Sequence, residues 1–310
     1  MRVLVTGGTG YLGAAIVRAL HAAGHHPVVF ARRASAASLP GTAFDGDIRD
    51  LAAVRRAAES VDAVVHSAAL VSLWRPRAQD FDEVNIGGLA NVIDTARERG
   101  VGRIVYTSSF LALPPAGSDR PLDANDYQRT KRIARDRAMN AIAAGAPLVV
   151  LYPGIVYGPG PFTEANLVGR LLRDHAQGRL PGIVGGGRTW SFAFVDDVAD
   201  LHVRAMERTE AAGEYRAGGE NVPQMRVFEI TGEVTGRSLP RRIPAGAARL
   251  AGAVEEMRTK LTGRPPLITR GAVAIFSHDW PLDSQRSVRE LNYRITPLAA
   301  GIRRTLASIG

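Results

Sequence analysis

Met1-Arg2-Val3-Leu4-Val5-Thr6-Gly7-Gly8-Thr9-Gly10-Tyr11-Leu12-Gly13 opens the chain, a short β-branched run followed by glycines spaced Gly7-x-x-Gly10-x-x-Gly13. The helical pattern Ala14 to Leu20 comes directly after it. Glycine is needed where backbone turns tightly and lies close to a pyrophosphate, and the following helix N-terminus offers free amides and a positive dipole end to that anion. A glycine motif alone says little, but here a strand precedes it and a helix follows, which is the context that phosphate binding requires. Gly7, Gly10, Tyr11, Leu12 and Gly13 are therefore candidates to hold a dinucleotide.

Outward from this turn, short apolar runs alternate with helical patterns. Val28-Val29-Phe30 precedes Leu51 to Glu59, Ala63 to His66 precedes Val84 to Arg99, and Ile104-Val105-Tyr106 precedes Tyr127 to Ala144, with Leu148 to Leu151 after them. Such alternation predicts an α/β fold with a doubly wound parallel sheet, a Rossmann fold with helices on both faces. From Gly158 onward prolines and glycines thicken and helical patterns dominate. The expected organisation is a dinucleotide-binding domain over residues 1–157, to which 190–207 returns through the strand-like piece Phe192 to Val195. Residues 158–189 and 208–310 form a smaller, mostly helical substrate lobe.

The 310 residues, 45% hydrophobic and 22% charged, suit one large domain or two interleaved lobes and exclude disorder. The absence of cysteine removes thiolate catalysis, disulfides and Cys-ligated metal sites, and together with the lack of a signal peptide leads us to expect a cytoplasmic protein. No apolar stretch is long enough to span a membrane. The net charge of +9 is carried by arginine, since Lys131 and Lys260 are the only lysines. The arginines occur singly or in pairs, so nucleic acid is not an expected partner. His21, His25, His26, His66, His175, His202 and His278 show no metal-ligand spacing, and no metal is expected. The stripe Leu250, Val254, Met257 and Leu261 reads as the core side of a C-terminal helix, in preference to a lid or a membrane-contact face.

Two further stretches carry chemistry. Where an acidic residue after the second strand would hold the ribose 2′-hydroxyl of NAD, this chain has Ala31-Arg32-Arg33. Two guanidinium groups there favour the 2′-phosphate of NADP, with NAD as the other candidate. Asp47 and Ile48 follow the third strand, where they could read an adenine edge, and Asp47 could equally cap the helix through Leu51. Tyr127 and Lys131 stand four apart on one helix face, an arrangement in which an ammonium lowers the pKa of a phenol and makes it an acid/base group. Thr107-Ser108-Ser109 ends the strand at the carboxyl edge of the sheet, where a hydroxyl can donate to a developing alkoxide.

With these motifs, His66-Ser67-Ala68-Ala69, Asn85 in Val84-Asn85-Ile86-Gly87-Gly88, Pro153-Gly154-Ile155-Val156-Tyr157-Gly158-Pro159 and Phe192-x-x-Val195-Asp196-Asp197, the chain resembles the extended short-chain dehydrogenases/reductases. These belong to the NAD-dependent epimerase/dehydratase superfamily, and the resemblance covers essentially all 310 residues. Within that group it is similar to dihydroflavonol reductase-like and farnesol dehydrogenase-like members and to hopanoid-associated epimerase-like proteins. The resemblance implies Tyr127 as acid/base, Lys131 as ribose anchor and pKa modulator, and Ser109, rather than Ser108, as the carbonyl donor. It also implies Ala68, Ala69 and Asn85 around the cofactor, with Pro153 and Ile155 flanking the nicotinamide.

One departure bears on substrate. Nucleotide-sugar enzymes of this group carry an arginine before Phe-x-x-Val-Asp-Asp that clamps the diphosphate, whereas here Trp190-Ser191 stands in place of the Arg-Asp pair, with Arg188 two residues earlier as a replacement candidate. The expected pocket of Leu70, Val71, Trp74, Phe110, Val156, Phe162 and Trp190 suits a small hydrophobic alcohol, aldehyde or ketone. The leading expectation is an NAD(P)-dependent oxidoreductase. Behind it stand a nucleotide-sugar epimerase or dehydratase with tightly bound NAD and a non-catalytic NAD(P)-sensing protein. A homodimer is an open expectation.

Overall fold

Val3 and Val5 pack on one side of the opening strand and Leu4 on the other, and all three are buried because helices cover both faces of the sheet it belongs to. In the computed structural model, which describes residues 1–309, the strands in chain order are β1 (Arg2–Thr6), β2 (His26–Ala31), β3 (Thr42–Asp45), β4 (Ala63–His66), β5 (Arg103–Thr107), β6 (Leu148–Pro153), β7 (Ile155–Tyr157), β8 (Gly182–Val184), β9 (Thr189–Phe194), β10 (Gly213–Ala217), β11 (Glu220–Pro223) and β12 (Arg241–Ile243). The helices are α1 (Tyr11–Ala22), α2 (Leu51–Ala57), α3 (Gln79–Phe81), α4 (Gly88–Arg99), α5 (Asp126–Ala143), α6 (Leu167–Ala176), α7 (Val195–Glu207), α8 (Arg226–Thr235), α9 (Ala245–Thr262), α10 (Arg270–Phe276), α11 (Gln285–Leu291) and α12 (Leu298–Ala307).

Seven strands form one sheet in the order β10-β6-β5-β4-β1-β2-β3, every pair parallel. The order reverses at β1 and β4, so a crevice opens beyond their carboxyl ends, where open α/β sheets bind ligands. Ile16, Val17 and Leu20 of α1 and Val198 and Leu201 of α7 fill one side of the sheet. Val54, Leu89, Val92, Ala134 and Ala138 fill the other. A separate core of Phe110, Tyr157, Leu172, Phe192, Phe194, Phe228, Trp280 and Ile302 holds the largely helical C-terminal half, with two small sheets, β11-β9-β7 and β12-β8.

Two strands lie elsewhere than the sequence pattern indicates. β9 does not join the large sheet: the edge of β6 is taken by β10, from the stretch read as substrate lobe. β9 pairs with β7 and β11 instead. Gly154 makes the switch between the two sheets, since a Cβ there would lie 2.5 Å from the Ser191 carbonyl oxygen crossing over it. The helix read as Val84 to Arg99 also begins earlier and irregularly, with α3 running into a π-helical turn over Asp82–Gly87 before α4.

The first glycine turn is built by close backbone contact. Gly7 has φ +69°, and an added Cβ would lie 2.6 Å from Ala68 Cα, while one on Gly13 would lie 2.1 Å from the Gly7 carbonyl oxygen. Gly7→Ala therefore meets both a left-handed backbone and a backbone clash. It is expected to destabilise the protein by about 2 kcal/mol or more, read as a lowered urea midpoint at unchanged slope, together with loss of dinucleotide binding.

Candidate active site

A cleft of about 1140 Å³ runs along the carboxyl ends of the strands. At the β2 and β3 side it is lined by the glycine turn, Arg32, Arg33, Asp47 and Ile48. Ala68, Ala69, Ser108, Ser109, Tyr127, Lys131, Pro153 and Ile155 line its middle, around β4, β5 and β6. Beyond them lie Leu70, Val71, Trp74, Phe110, Val156 and Trp190, joined by Leu167, Arg170, Pro265, Pro266, Leu267, Ile275 and Phe276.

The residues present fit a dinucleotide. α1 begins at Tyr11, three residues before the helical pattern becomes apparent, and no side chain caps it, which leaves its first-turn amides available to an anion. A Cβ on Gly10 would meet only the Gly7 carbonyl oxygen, at 3.1 Å. The backbone on that side is open to a phosphate. At the adenosine end Arg32 and Arg33 are exposed and line the cleft. The nearby carboxylates are already engaged: Asp45 accepts from the Ser35 amide and hydroxyl at 2.8 and 2.6 Å, and Asp47 pairs with Arg49 at 2.8 Å. The Arg49 guanidinium holds the Asp47 carboxyl below its usual range. Asp47 does not cap α2; Asp50 does, accepting from the Ala52 and Ala53 amides.

Asn125 caps α5, accepting from the Gln128 amide at 2.8 Å, and this fixes the helix that carries Tyr127 in its first turn and Lys131 one turn on. The Lys131 ammonium is 3% exposed, donates to the Thr107 carbonyl oxygen at 2.9 Å and lies 5.2 Å over the Tyr106 ring. Burial lowers its pKa to about 7. The Tyr127 phenol is raised to about 12, because burial outweighs the opposing pull of the Ser109 hydroxyl. Burial thus disfavours the charged form of both Tyr127 and Lys131.

Two buried histidines back the site. His202 accepts the Thr107 hydroxyl at Nε2, 2.8 Å away, because its Nδ1 must donate to the Val198 carbonyl oxygen at 2.7 Å. Burial lowers its pKa to about 4. His66 is held by Thr6 at 2.7 Å and stacks on Tyr106 with ring centroids 5.6 Å apart. Burial, helped by the Lys131 charge, takes its pKa to about 3.

Several candidates lie elsewhere than expected. Asn85 stands behind the cleft wall on the π-helical turn, accepting from the Leu70 amide at 2.8 Å and donating to Thr130 at 2.9 Å, so it ties the loop after β4 to α5. Phe162 and Arg188 lie outside the cleft: Arg173 covers the Phe162 ring at 4.5 Å, and Arg188 pairs with Asp279 at 3.0 Å. Trp190 reaches the cleft but is 3% exposed, with Phe276 stacked at 5.0 Å, Phe110 tilted at 6.0 Å and its indole nitrogen donating to the His278 carbonyl oxygen. Its faces are largely taken up by protein packing. The cleft guanidiniums that sequence reading missed are Arg170, on α6, Arg75, which pairs loosely with Glu164 at 3.7 Å, and Arg49, which is held by Asp47. The Asn166 cap of α6 was a readable signal for the first, whereas Pro265 to Phe276 arrive from a distant part of the chain with no local signature.

A phosphate turn at a sheet reversal, facing a serine, tyrosine and lysine across one cleft, defines a nicotinamide-dinucleotide enzyme of the short-chain type. Residues 3–218 match the NAD dependent epimerase/dehydratase family. The chain is 33% identical to sterol demethylase protein B of Methylococcus capsulatus, covering 94% of this chain and 93% of that protein. It is 31% identical to 2-alkyl-3-oxoalkanoate reductase of Stenotrophomonas maltophilia, over 99% of each. Among solved structures, the UDP-glucose 4-epimerase of Thermus thermophilus in complex with NAD superposes with a TM-score of 0.77 at 25% identity, covering 100% of this chain and 99% of that one. The chain belongs to the NAD-dependent epimerase/dehydratase family, the extended type of short-chain dehydrogenase/reductase.

The buried ammonium makes stability depend on pH. Below about pH 7 Lys131 is charged in both folded and unfolded chains and the fold carries its desolvation cost; between 7 and the ordinary 10.5 only the unfolded chain keeps the proton; above that neither does. Stability from this residue therefore rises with pH across that window. In cofactor-free protein Lys131→Met should be more stabilising at pH 6 than at pH 10 by ~1 kcal/mol or more, measured by urea unfolding at the two values.

Proposed function

We propose that this enzyme transfers a hydride between NADP(H) and a hydrophobic alcohol, aldehyde or ketone, with Ser109, Tyr127 and Lys131 as its catalytic residues. The observation that carries the reading is their shared position on one wall of the cleft, facing an end built from Leu70, Trp74, Phe110, Leu167, Ile275 and Phe276. When bound, the nicotinamide cofactor supplies or accepts the hydride. Tyr127 delivers the proton to the carbonyl oxygen in reduction and removes it in oxidation, and the Ser109 hydroxyl holds that oxygen in place. A phenolate at Tyr127 and an ammonium at Lys131 stabilise each other, so loss of the phenol proton draws the lysine pKa back up. Thr107, fixed by His202, presents the carbonyl that aims the ammonium.

The relatives support a hydrophobic substrate by their names, a 2-alkyl-3-oxoalkanoate reductase and a sterol demethylase protein. Arg32 and Arg33, with the neighbouring carboxylates engaged, support NADP over NAD. A second reading, epimerisation of a nucleotide sugar with retained NAD, is favoured by Arg170 and Arg75 lining the cleft and by the likeness to the UDP-glucose 4-epimerase.

A turnover screen of aldehydes, ketones and prenyl alcohols with both cofactors tests the reaction. Tyr127→Phe should lower turnover at least a hundredfold while the dissociation constant for cofactor changes little, whereas Lys131→Ala should damage both. Retention of more than a few per cent of activity in Tyr127→Phe would remove that residue from its role. NADPH should bind at least about tenfold tighter than NADH, since one charge-assisted contact contributes ~1.5–3 kcal/mol. The doubly substituted Arg32→Ala, Arg33→Ala protein should lose that preference in fluorescence titrations at matched ionic strength. Calorimetry with UDP-glucose and oxidised cofactor should detect no micromolar binding; micromolar binding abolished by Arg170→Ala would establish the epimerase reading instead.

A further inference from the structure

Helix α9 is built inside out. The stripe Leu250, Val254, Met257 and Leu261, spaced i, i+4, i+7, i+11 on one face, reads in the sequence as the core side. In the structure these residues are 70%, 60%, 57% and 80% exposed. The side that packs inward is made of Ala248, Gly252 and Thr259. Gly252 explains why: α9 presses on the start of α10 so closely that a Cβ at this position would lie 2.9 Å from the Arg270 amide nitrogen. Small residues form the seam with the protein, and the large apolar residues are left facing water.

Four large side chains on one face make a continuous apolar patch of the kind that marks an interaction surface. In the segment that follows α9, Leu267 is 85% exposed, and with Pro265 and Pro266 it lines the cleft.

Charge indicates what covers it. Arg249 and Lys260 flank the stripe, Arg264 follows it, and Arg241 and Arg242 precede the helix, all of them exposed and none in an ion pair among the described residues. The two acidic residues of α9 are engaged toward the protein. Glu255 accepts from Arg258 and the Leu267 amide at 2.7 and 2.8 Å, and Glu256 accepts from the Arg270 amide and guanidinium at 2.8 Å each. An apolar face bordered by unpaired basic residues is the pattern of a helix lying in the plane of an anionic lipid surface. A second copy of the chain docked two-fold on the same face would instead bring these basic residues up against their own equivalents. No helix among the described residues is long and apolar enough to cross a membrane, so the contact is peripheral.

We propose that α9 and the following Pro265-Pro266-Leu267 segment dock the enzyme on an anionic lipid bilayer surface, with the mouth of the cleft turned toward the lipid. This docking does not depend on which substrate the cleft takes.

The test is co-sedimentation of the full chain with phosphatidylcholine vesicles with and without phosphatidylglycerol. Binding should be at least tenfold stronger to the anionic vesicles and should weaken as salt is raised. The fourfold variant Leu250→Ser, Val254→Ser, Met257→Ser, Leu261→Ser, whose fold is checked by circular dichroism, should lose at least tenfold in vesicle binding. Because the chain has no cysteine, Met257→Cys can carry a single environment-sensitive fluorophore, which should shift to the blue with anionic vesicles, while the same label at Ala143→Cys on α5 should not. Absence of vesicle binding by the unmodified chain, binding unchanged by the fourfold variant, or a label at Met257→Cys that ignores lipid would each overturn the proposal. So would a sedimentation-velocity dimer that the fourfold variant dissolves without any lipid contact, which would make the stripe a subunit interface.

Discussion

The approach of Gly7 to the backbone of Ala68 sets the geometry on which the site depends. Because no side chain separates the end of β1 from the end of β4, the two strands on either side of the sheet reversal meet without a spacer, and α1 starts directly above them. That position gives the cleft a floor of bare backbone and a helix terminus aimed across it. The loop carrying Ala68, Ala69 and Leu70 is held at one end by this contact. Asn85 holds it at the other by bonding both to Leu70 and to Thr130, next to Lys131. The π-helical turn that supplies Asn85 thus connects the loop after β4 to the helix bearing Tyr127 and Lys131.

Around Lys131 the protein replaces ordinary solvation with fixed polar contacts. The ammonium and two neutral histidines are buried, the Tyr127 phenol is half-buried against the cleft, and in each case burial pushes the group toward its uncharged form. Such surroundings are costly for an isolated charge and favourable for a pair that forms together. An ammonium in such surroundings carries a desolvation cost, so the stability of the fold depends on the protonation of this one side chain.

The C-terminal half is organised differently. Its aromatic core, from Phe110 through Trp190 to Trp280, closes one end of the cleft and leaves Trp190 with few free surfaces. The indole at that position is therefore accounted for by packing. Other arginines, Arg170 and Arg75, approach the cleft from α6 and from the loop after β4.

What the sequence determined by itself was local or periodic. The glycine turn, the alternation of strands and helices, the four-residue spacing of Tyr127 and Lys131 and the serines at the end of β5 are all set by neighbours within one or two turns, and they define the Rossmann half and its cleft. Periodicity also registers that a face is apolar, as it does for Leu250, Val254, Met257 and Leu261, but it carries no information about which side of a helix the rest of the chain will occupy. That was decided by Gly252 and the approach of α10. Likewise the edge of β6 went to β10, and β9 to a second sheet, through competition between segments far apart in the chain. The fate of Arg188, drawn to Asp279, and the direction in which burial moves the Tyr127 phenol depend on side chains converging from several elements, and only the tertiary structure brings those together.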